Sequence, residues 1–423
     1  MIGIVADDIT GANDIGIMYG KAFRKTNVYL YPYALTDKSA VPDVVVMDTN
    51  SRLDTEKQAY DKVFESTKLL MDLGCTQYFN KTCSVFRGNI GAEFDAMLDA
   101  LNENFAVIVL GFPKNGRTTI HQEHFVHGIK LEESNFKNDP VHPMRTSDLV
   151  EILQAQTKRK VNAIDVETIR SGYPKIKAEI DRNRENCQYL ILDVEDQQSL
   201  REIALAIKDE KVIAGASGVA EELALVKVGS GEQADKISPE KLNHTGVLCA
   251  AGSLTPQTLE QIAYMKACQF PFIEMETIKL FHEDKKDYLE ELIVQLKEMI
   301  DGGKDVLLHA SNNPDVVAET KKMGKQKGYS NEEISRVVSD SIALVVSEVR
   351  KQTDVNRFML AGGETSAAIC NSLGIKGLRV HKEIEPGLPS CINLAVPHDV
   401  LVLKSGSFGG VDFFEKAVNH LKE

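Results

Sequence analysis

Two carboxylates lie directly after the first apolar run of the chain. Residues Ile2–Ala6 predict a buried strand, and Asp7 and Asp8 follow it at once. In open α/β sheets, ligands bind at the carboxyl ends of strands, so the pair holds a favourable position for chemistry. One carboxylate could act as a general base toward a hydroxyl group. A plainer alternative stays open, in which Asp8 or Thr10 caps the following helix.

Cations, hydroxyls and a thiol follow two further predicted strands. Arg52 comes shortly after the apolar run that ends at Asp48. Its guanidinium could bind a carboxylate with two parallel hydrogen bonds, or it could be an ordinary solvated arginine. The segment after the strand at 77–79 is denser in polar groups and suits a small polyhydroxy acid. Its candidates for substrate binding are Lys81, Thr82, Cys83, Ser84 and Arg87.

Two other interpretations of this half of the chain carry less weight. Cys83 could be a nucleophile, but the sequence pairs no base with it, and free cysteines are usually buried and inert. His121, His124 and His127 are spaced by three residues, yet they lack the HExxH pattern and follow a loop-like segment. We therefore predict neither covalent catalysis nor a metal site built from protein side chains.

Glycine-rich turns follow the apolar runs at 357–361 and 400–404. A backbone can approach an anion closely where no Cβ intervenes, and a turn that leads into a helix points free N–H groups at that anion. The turn at 250–255 is similar, although by itself it predicts only a helix start capped by Ser253 or Thr255. The candidates for cofactor binding are Ser253, Gly362, Gly363, Glu364, Thr365 and Gly406.

Standard nucleotide fingerprints are missing from the sequence. The segment at 302–305 lacks the spacing and the hydroxyl of a Walker A loop, and no GxGxxG follows the first strand. If ATP binds, it binds through neither a standard P-loop nor a standard dinucleotide motif.

Composition limits the classes of partner. The 423 residues carry a net charge of −13, and no basic stripe collects on one segment, so nucleic acid and anionic membranes are poor partners. The seven cysteines show no CxxC pairing, and the first residues do not have the pattern of a signal peptide. We expect a cytoplasmic protein that binds a small molecule and could form a homo-oligomer.

Short β-branched runs alternate with helical segments along the whole chain, which is typical of α/β proteins. Strands are predicted at 2–6, 27–31, 44–48, 77–79, 107–110, 189–192 and 212–214, then at 247–251, 305–309, 357–361 and 400–404. A polar stretch at 229–245 interrupts the alternation and is interpreted as a linker. The predicted fold is two doubly wound domains, 1–235 and 245–423, with mainly parallel sheets and a cleft between them.

Eight ordered motifs resemble the four-carbon acid sugar kinase family. They are ADDITGAND at 6–14, RGNIGAE at 87–93, GFPKNGRTT at 111–119, DPVHPM at 139–144, AGASG at 214–218, AGGETS at 361–366, EPGLP at 385–389 and KSGSFG at 404–409. The resemblance covers almost the whole chain. It implies an N-terminal acid-sugar domain, a C-terminal nucleotide domain, and phosphorylation of threonate, erythronate or an oxo-tetronate with ATP. For phosphoryl transfer from ATP we also expect Mg²⁺ as a cofactor.

The resemblance also implies roles for individual residues. Substrate contacts would come from Asp7, Asp8, Arg52 and the run 81–84, and ATP would be held by Ser253, the run 362–365 and Gly406. One departure is that many members have Asp-Ser-Thr where this chain has Cys-Ser-Val at 83–85. Loss of a carboxylate and a hydroxyl there could change which acid is accepted.

The predicted function is an ATP-dependent sugar-acid kinase in which Asp8, with Asp7 as second choice, orients or deprotonates the substrate hydroxyl. Phosphoryl transfer depends mainly on positioning and charge stabilisation, which these residue types supply. Two other classes stay open: a nicotinamide-dependent dehydrogenase of hydroxy acids, which the missing GxGxxG disfavours, and a non-catalytic acid-sugar sensor.

Overall fold

The structure is a computed structural model that describes residues 1–22, 24–32, 42–139, 141–226 and 246–423. The chain divides into two compact units, Met1–Asp235 and Lys236–Glu423. The predicted linker at 229–245 and the predicted start of the second domain at 245 lie outside the described residues. Within the described ranges, no helix is both long and apolar enough to span a membrane.

The first unit contains a parallel sheet in the order β2-β3-β1-β4-β11-β5-β10-β9 and a small antiparallel sheet in the order β6-β7-β8. The described strands of this unit are β1 (Ile2–Ala6), β2 (Thr26–Leu30), β3 (Val44–Asp48), β4 (Gln77–Lys81), β5 (Ala106–Val109), β6 (Arg117–Ile120), β7 (Glu123–Val126), β8 (Ile129–Lys130), β9 (Val161–Ile164), β10 (Tyr189–Leu192) and β11 (Val212–Gly215). Its central strands are buried on both faces, which explains their continuous apolar sequences.

Helices cover this sheet, and five of them, α1, α2, α4, α5 and α7, begin at a residue whose side chain caps the helix. Thr55 and Gln58 form a capping box at the start of α2, and Asp196 and Ser199 form one at the start of α7. The helices of the first unit are α1 (Ile9–Lys21), α2 (Glu56–Asp72), α3 (Ile90–Leu101), α4 (Leu149–Gln154), α5 (Val166–Arg170), α6 (Tyr173–Asn183), α7 (Gln197–Ile207) and α8 (Gly218–Val226).

The second unit contains a mixed sheet in the order β13-β14-β12-β15-β18-β17-β16. Its described strands are β12 (Leu248–Ala251), β13 (Phe272–Met275), β14 (Val306–Ala310), β15 (Arg357–Ala361), β16 (Gly377–Glu385), β17 (Leu388–Asn393) and β18 (Val400–Lys404). Its helices are α9 (Pro256–Ala267), α10 (Lys285–Asp301), α11 (Pro314–Gln326), α12 (Asn331–Gln352), α13 (Gly363–Ser372) and α14 (Phe413–Lys422). Strand β17 runs antiparallel to both of its neighbours, β16 and β18, and this makes the sheet mixed.

The predicted fold class, two α/β units with mainly parallel sheets, is confirmed, while the cleft stays a prediction. Each predicted strand is present, with ends shifted by at most two residues. The strands that the sequence did not predict are β6 to β9, β13, β16 and β17. They lack a long apolar run: β16 has a half-exposed polar end, and β13 is an edge strand with Phe272 exposed.

Candidate functional site

Arg52 links the two aspartates that follow β1. Its Nε lies 2.7 Å from Asp7 Oδ2, and its Nη2 lies 2.8 Å from Asp7 Oδ1, so it binds Asp7 in the bidentate manner. Its Nη1 also donates to Asp8 Oδ2. Both carboxylates are buried, and the Arg52 side chain is only 16% exposed. Arg52 is therefore not a solvated surface arginine, and the structure brings these three predicted residues together.

Asp8 is also the N-cap of α1, as the plainer alternative expected. Its Oδ1 accepts a hydrogen bond of 2.6 Å from the Gly11 backbone N–H. Burial raises the pKa of the Asp8 carboxyl, but the charges of Arg52 and Lys81 outweigh burial and hold that pKa below its usual range. Asp8 is therefore an ionised acceptor at neutral pH, and capping does not exclude a catalytic role.

Lys81 reaches the same sheet edge from the adjacent strand β4. Its Nζ donates to the Thr82 backbone oxygen at 3.0 Å and lies 3.7 Å from Asp14 Oδ2. A Cβ at position 11 would lie 2.9 Å from Nζ, so the glycine there makes room for the ammonium. Asp14 also accepts 2.5 Å from Ser217 Oγ. The sequence did not single out Asp14 or Ser217, which lie far apart along the chain.

Cys83 and Arg87 form a second polar group in this unit. Arg87 Nε donates to Cys83 Sγ at 3.4 Å, and its Nη1 donates to Asp139 Oδ2 at 2.6 Å. Burial raises the pKa of the Cys83 thiol, but Arg87 and Arg52 outweigh burial and bring that pKa below its ordinary value. Cations beside a thiol favour the reactive thiolate, so it is the burial of Cys83 and not its charged neighbours that disfavours the nucleophile interpretation.

The three histidines contact different partners and do not form one site. His124 is buried, with Nδ1 3.0 Å from Thr119 Oγ1 and Nε2 2.9 Å from the Ser84 backbone oxygen. Burial lowers its pKa to about 3, so the ring is neutral. His121 faces Glu167 at 3.6 Å, and His127 lies 3.2 Å from Arg117 Nη1. His124 therefore supports the segment that carries Ser84, a role that spacing alone could not show.

Two further buried carboxyls surround the aspartate pair. Burial and the charge of Asp8 raise the pKa of Asp48, at the end of β3, to about 8. Burial and the charge of Asp7 likewise raise the pKa of Glu93 to about 8, although Ser51 Oγ donates to its Oε1 at 2.7 Å. The site thus combines ionised and protonated carboxyls at neutral pH.

Asp48→Asn is expected to become more stable than the wild-type protein as the pH rises from about 5 to 8. The pKa of Asp48 is raised on folding from 3.8 to about 8, so the native state keeps a proton that the unfolded chain releases. Stability from this group is present at low pH and lost as the pH approaches 8, whereas Asn does not ionise. Thermal unfolding of both proteins across this range measures the effect, with exposed Asp61→Asn as control. An Asp48→Asn difference that stays constant with pH would contradict it.

The glycine turns of the second unit follow three adjacent parallel strands, β12, β15 and β18. Gly362 N donates to Lys404 O at 2.8 Å, and Gly252 N donates to Ala361 O at 3.3 Å. The loop after β12 leads into α9, and the loop after β15 leads into α13. Right-handed crossovers place these two helices on opposite faces of the sheet. The turns therefore border the crevice where ligands bind in such sheets.

Glycine is required because the turns lie very close together. Gly362 has φ +107°, and a Cβ there would lie 3.2 Å from Ser253 Cβ. A Cβ at Gly406 would lie 2.5 Å from Ser253 Oγ, and one at Gly252 would clash with Thr365 Oγ1. The structure thus brings together the predicted residues Ser253, Gly362, Thr365 and Gly406. Gly363 and Glu364 form the first turn of α13.

Three side chains hold the Gly406 turn, and the sequence singled out only one of them, Thr255. The Gly406 backbone oxygen accepts from Thr255 Oγ1 at 2.6 Å, Thr258 Oγ1 at 2.9 Å and Lys404 Nζ at 3.0 Å. Thr255 is the N-cap of α9 but makes no side-chain capping bond. The sequence therefore predicts the start of the helix correctly. The Thr255 hydroxyl, however, donates to the neighbouring Gly406 turn and does not cap the helix.

Glu364 is the carboxylate of this group. Its Oε2 accepts 2.6 Å from Ser335 Oγ, whereas its Oε1 is buried without a hydrogen-bond partner in the described part of the chain. Burial raises the pKa of this carboxyl. A buried carboxyl oxygen without a hydrogen-bond partner is a candidate ligand of a cation or acceptor of a hydrogen bond.

Comparison with known proteins follows the same two halves. Residues 2–223 match a family described as a sugar-binding N-terminal domain, and residues 248–414 match one described as a nucleotide-binding C-terminal domain. A Haemophilus influenzae protein named 3-oxo-tetronate kinase is 31% identical over 425 residues, covering 99% of both chains. An Actinobacillus succinogenes protein of the same name is 30% identical over 428 residues, again covering 99% of both.

Solved structures show the same fold. A Salmonella typhimurium protein superposes with a TM-score of 0.82 at 27% identity and covers 98% of both chains. A Haemophilus influenzae protein superposes with a TM-score of 0.74 at 28% identity, covering 99% of this chain and 100% of its own.

The α/β fold and the match of residues 248–414 to a nucleotide-binding domain define a nucleotide-binding protein. The chain belongs to the four-carbon acid sugar kinase family, as the family matches and the full-length relatives show. The predicted enzyme class, a phosphotransferase with an alcohol group as acceptor, is confirmed.

Proposed function

We propose that the protein is an ATP-dependent kinase that phosphorylates a hydroxyl group of a four-carbon sugar acid, with 3-oxo-tetronate as the first candidate and threonate and erythronate as the next. The observation that carries this proposal is the buried Asp7–Arg52–Asp8 cluster at the carboxyl end of β1. The printed names of the full-length relatives support the choice of acid.

In this proposal Asp8 accepts a hydrogen bond from the reacting hydroxyl and orients its oxygen. The lowered pKa keeps the carboxylate ionised but makes it a weak base, so orientation matters more than early proton removal. Asp7, held by two bonds from Arg52, is the second choice for this role.

The carboxylate of the sugar acid must be bound by a cation, and the better candidate is the one with fewer contacts to protein carboxylates. Arg52 spends Nε, Nη1 and Nη2 on the two aspartates, so we assign it to fixing them rather than to holding the substrate. Lys81 donates to the Thr82 oxygen and has one carboxylate nearby, Asp14 Oδ2 at 3.7 Å, so its ammonium is less committed to protein carboxylates than the guanidinium of Arg52. Lys81 therefore holds the substrate carboxylate, with Thr82, Cys83, Ser84 and Arg87 around the remaining hydroxyls.

The nucleotide would be held in the second unit at the glycine turns, which lie together at the carboxyl ends of β12, β15 and β18, where ligands bind in such sheets. The holding residues are Ser253, Gly362, Gly363, Thr365 and Gly406. The buried Oε1 of Glu364 fits Mg²⁺, which typically takes one or two protein carboxylates together with phosphate oxygens. Bound ATP and Mg²⁺ supply the phosphoryl group and neutralise its charge.

The test is a panel of four-carbon acids incubated with ATP and Mg²⁺, with ADP production measured. We expect acid-dependent ADP formation with at least one of 3-oxo-tetronate, threonate and erythronate. Thermal unfolding adds a second readout, since binding to the native state raises Tm. Stabilisation by NAD and not by ATP and Mg²⁺, together with no ADP from any acid, would favour the dehydrogenase instead.

A further inference from the structure

Lys404 occupies a position where the strand pattern predicts an apolar side chain. Alternate residues of a strand share one face, so Val400, Val402 and Lys404 of β18 point the same way. Val400 and Val402 lie in the core cluster that α9 and α14 cover. Lys404 is fully buried, and its Nζ lies 6.0 Å from the centre of the Phe414 ring.

The buried ammonium has only neutral partners. Its Nζ donates to Thr258 Oγ1 at 2.9 Å, to Ser405 O at 2.8 Å and to Gly406 O at 3.0 Å. Within the described residues, Lys404 forms no ion pair with a carboxylate. Burying an unpaired charge is costly, and burial lowers the pKa of Lys404 to about 7. Hydrophobic packing alone does not explain a lysine at this position.

These contacts set the direction of the Gly406 turn. In a planar trans peptide, the C=O and the following N–H point in opposite directions. Because Ser405 O and Gly406 O point at the buried ammonium, the N–H groups of Gly406 and Ser407 point away from it. Lys404 thus presents two backbone donors on the outer side of the turn that borders Ser253.

We propose that Lys404 is a positioning residue for the nucleotide phosphates: it holds the N–H groups of Gly406 and Ser407 ready for the anion, and the phosphates supply the counter-charge that the ammonium lacks. This inference rests on the proposed function and deepens it, since it assigns phosphate recognition to one side chain. Its effect grows with the number of phosphates on the ligand, because both the amides and the charge act on the anion and not on the base or the ribose.

The test compares Lys404→Met with the wild-type protein in binding ATP, ADP, AMP and adenosine by calorimetry. Loss of charge-assisted recognition predicts affinity for ATP about 10- to 100-fold weaker, a smaller loss for AMP, and a change below about twofold for adenosine. Lys422→Met, which removes an exposed lysine paired with Asp305, serves as the matched control and should change none of the four. Unchanged ATP affinity in Lys404→Met would overturn the proposal, as would an equal loss for all four ligands.

If the Lys404→Met protein does not fold, a second pair of variants tests the same proposal. Lys404→Arg keeps the charge and Lys404→Gln removes it, while both keep a polar end. The proposal requires a phosphate-graded loss for Gln and a clearly smaller one for Arg, and the same loss for both would contradict it. Wild-type protein that binds no adenine nucleotide would overturn the proposed function itself, whereas ATP binding without graded loss overturns only the role of Lys404.

Discussion

Asp8→Asn is expected to lower kcat by about 100-fold or more, the cost of misplacing a reacting group that a side chain orients. Asn keeps the cap of α1, because its side-chain oxygen can still accept from the Gly11 N–H, so the fold should survive. It loses the charge that accepts the substrate hydroxyl. Steady-state kinetics with saturating ATP and sugar acid measures the effect, and KM for ATP should change little.

Asp148→Asn provides a matched control for this prediction. Asp148 is the N-cap of α4 and accepts from Val150 N at 2.8 Å and Glu151 N at 3.0 Å, so the same exchange is made at a similar cap in the same unit. Its kcat should be close to that of the wild-type protein. If Asp8→Asn keeps near-normal turnover with an unchanged pH profile, the assignment of Asp8 is wrong. A larger loss for Asp7→Asn would move the role to Asp7.

Gly362→Ala is expected to lower kcat/KM for ATP by about 10- to 100-fold, because moving a ligand-positioning loop by about 1 Å costs a factor of this order. The φ of Gly362 is +107°, and the new Cβ would lie 3.2 Å from Ser253 Cβ. The loop must shift, and the shift separates two turns that the proposal assigns to the phosphates. Kinetics with varied ATP measures the change, and KM for the sugar acid should stay near its wild-type value.

Gly374→Ala tests whether strain alone explains that loss. Gly374 follows the other end of α13, has φ +69°, and a Cβ there would meet nothing within 4 Å. This control carries a positive-φ penalty, smaller than that at Gly362 with its φ of +107° and ψ of +129°, without the contact to Ser253. It should lower Tm but leave KM for ATP unchanged. Equal effects of both variants on KM for ATP would remove the Gly362 turn from the nucleotide site.

The sequence predicts the strands of the parallel sheets well, because the signal for each strand lies in its own residues. Strands such as β1, β3 and β10 are buried on both faces, so their apolar runs coincide with their observed bounds. The candidate residues come directly after such strands, and parallel strands bring their carboxyl ends to one edge. Pairing of β1 with β3 and β4 aligns Ala6 with Asp48 and with Lys81.

Other features depend on contacts that a sequence does not display. The binding of Asp7 and Asp8 by Arg52 joins residues more than forty positions apart, and the contact between Asp14 and Ser217 joins residues about two hundred apart. Lys404 looks like the exposed end of an apolar strand until Thr258 and Phe414 enclose it. The hairpin of β16 and β17 contains Pro389 and many polar residues, so its pattern does not predict strands.

The central claim is that this chain transfers a phosphoryl group from ATP to a hydroxyl of a four-carbon sugar acid, and phosphorus-31 NMR of the complete reaction tests it most directly. The account predicts that ATP is converted to ADP and that one new phosphate monoester signal appears in equal amount, with neither change in the Asp8→Asn protein. ATP that stays intact with 3-oxo-tetronate, threonate and erythronate, or that yields only inorganic phosphate, would contradict it.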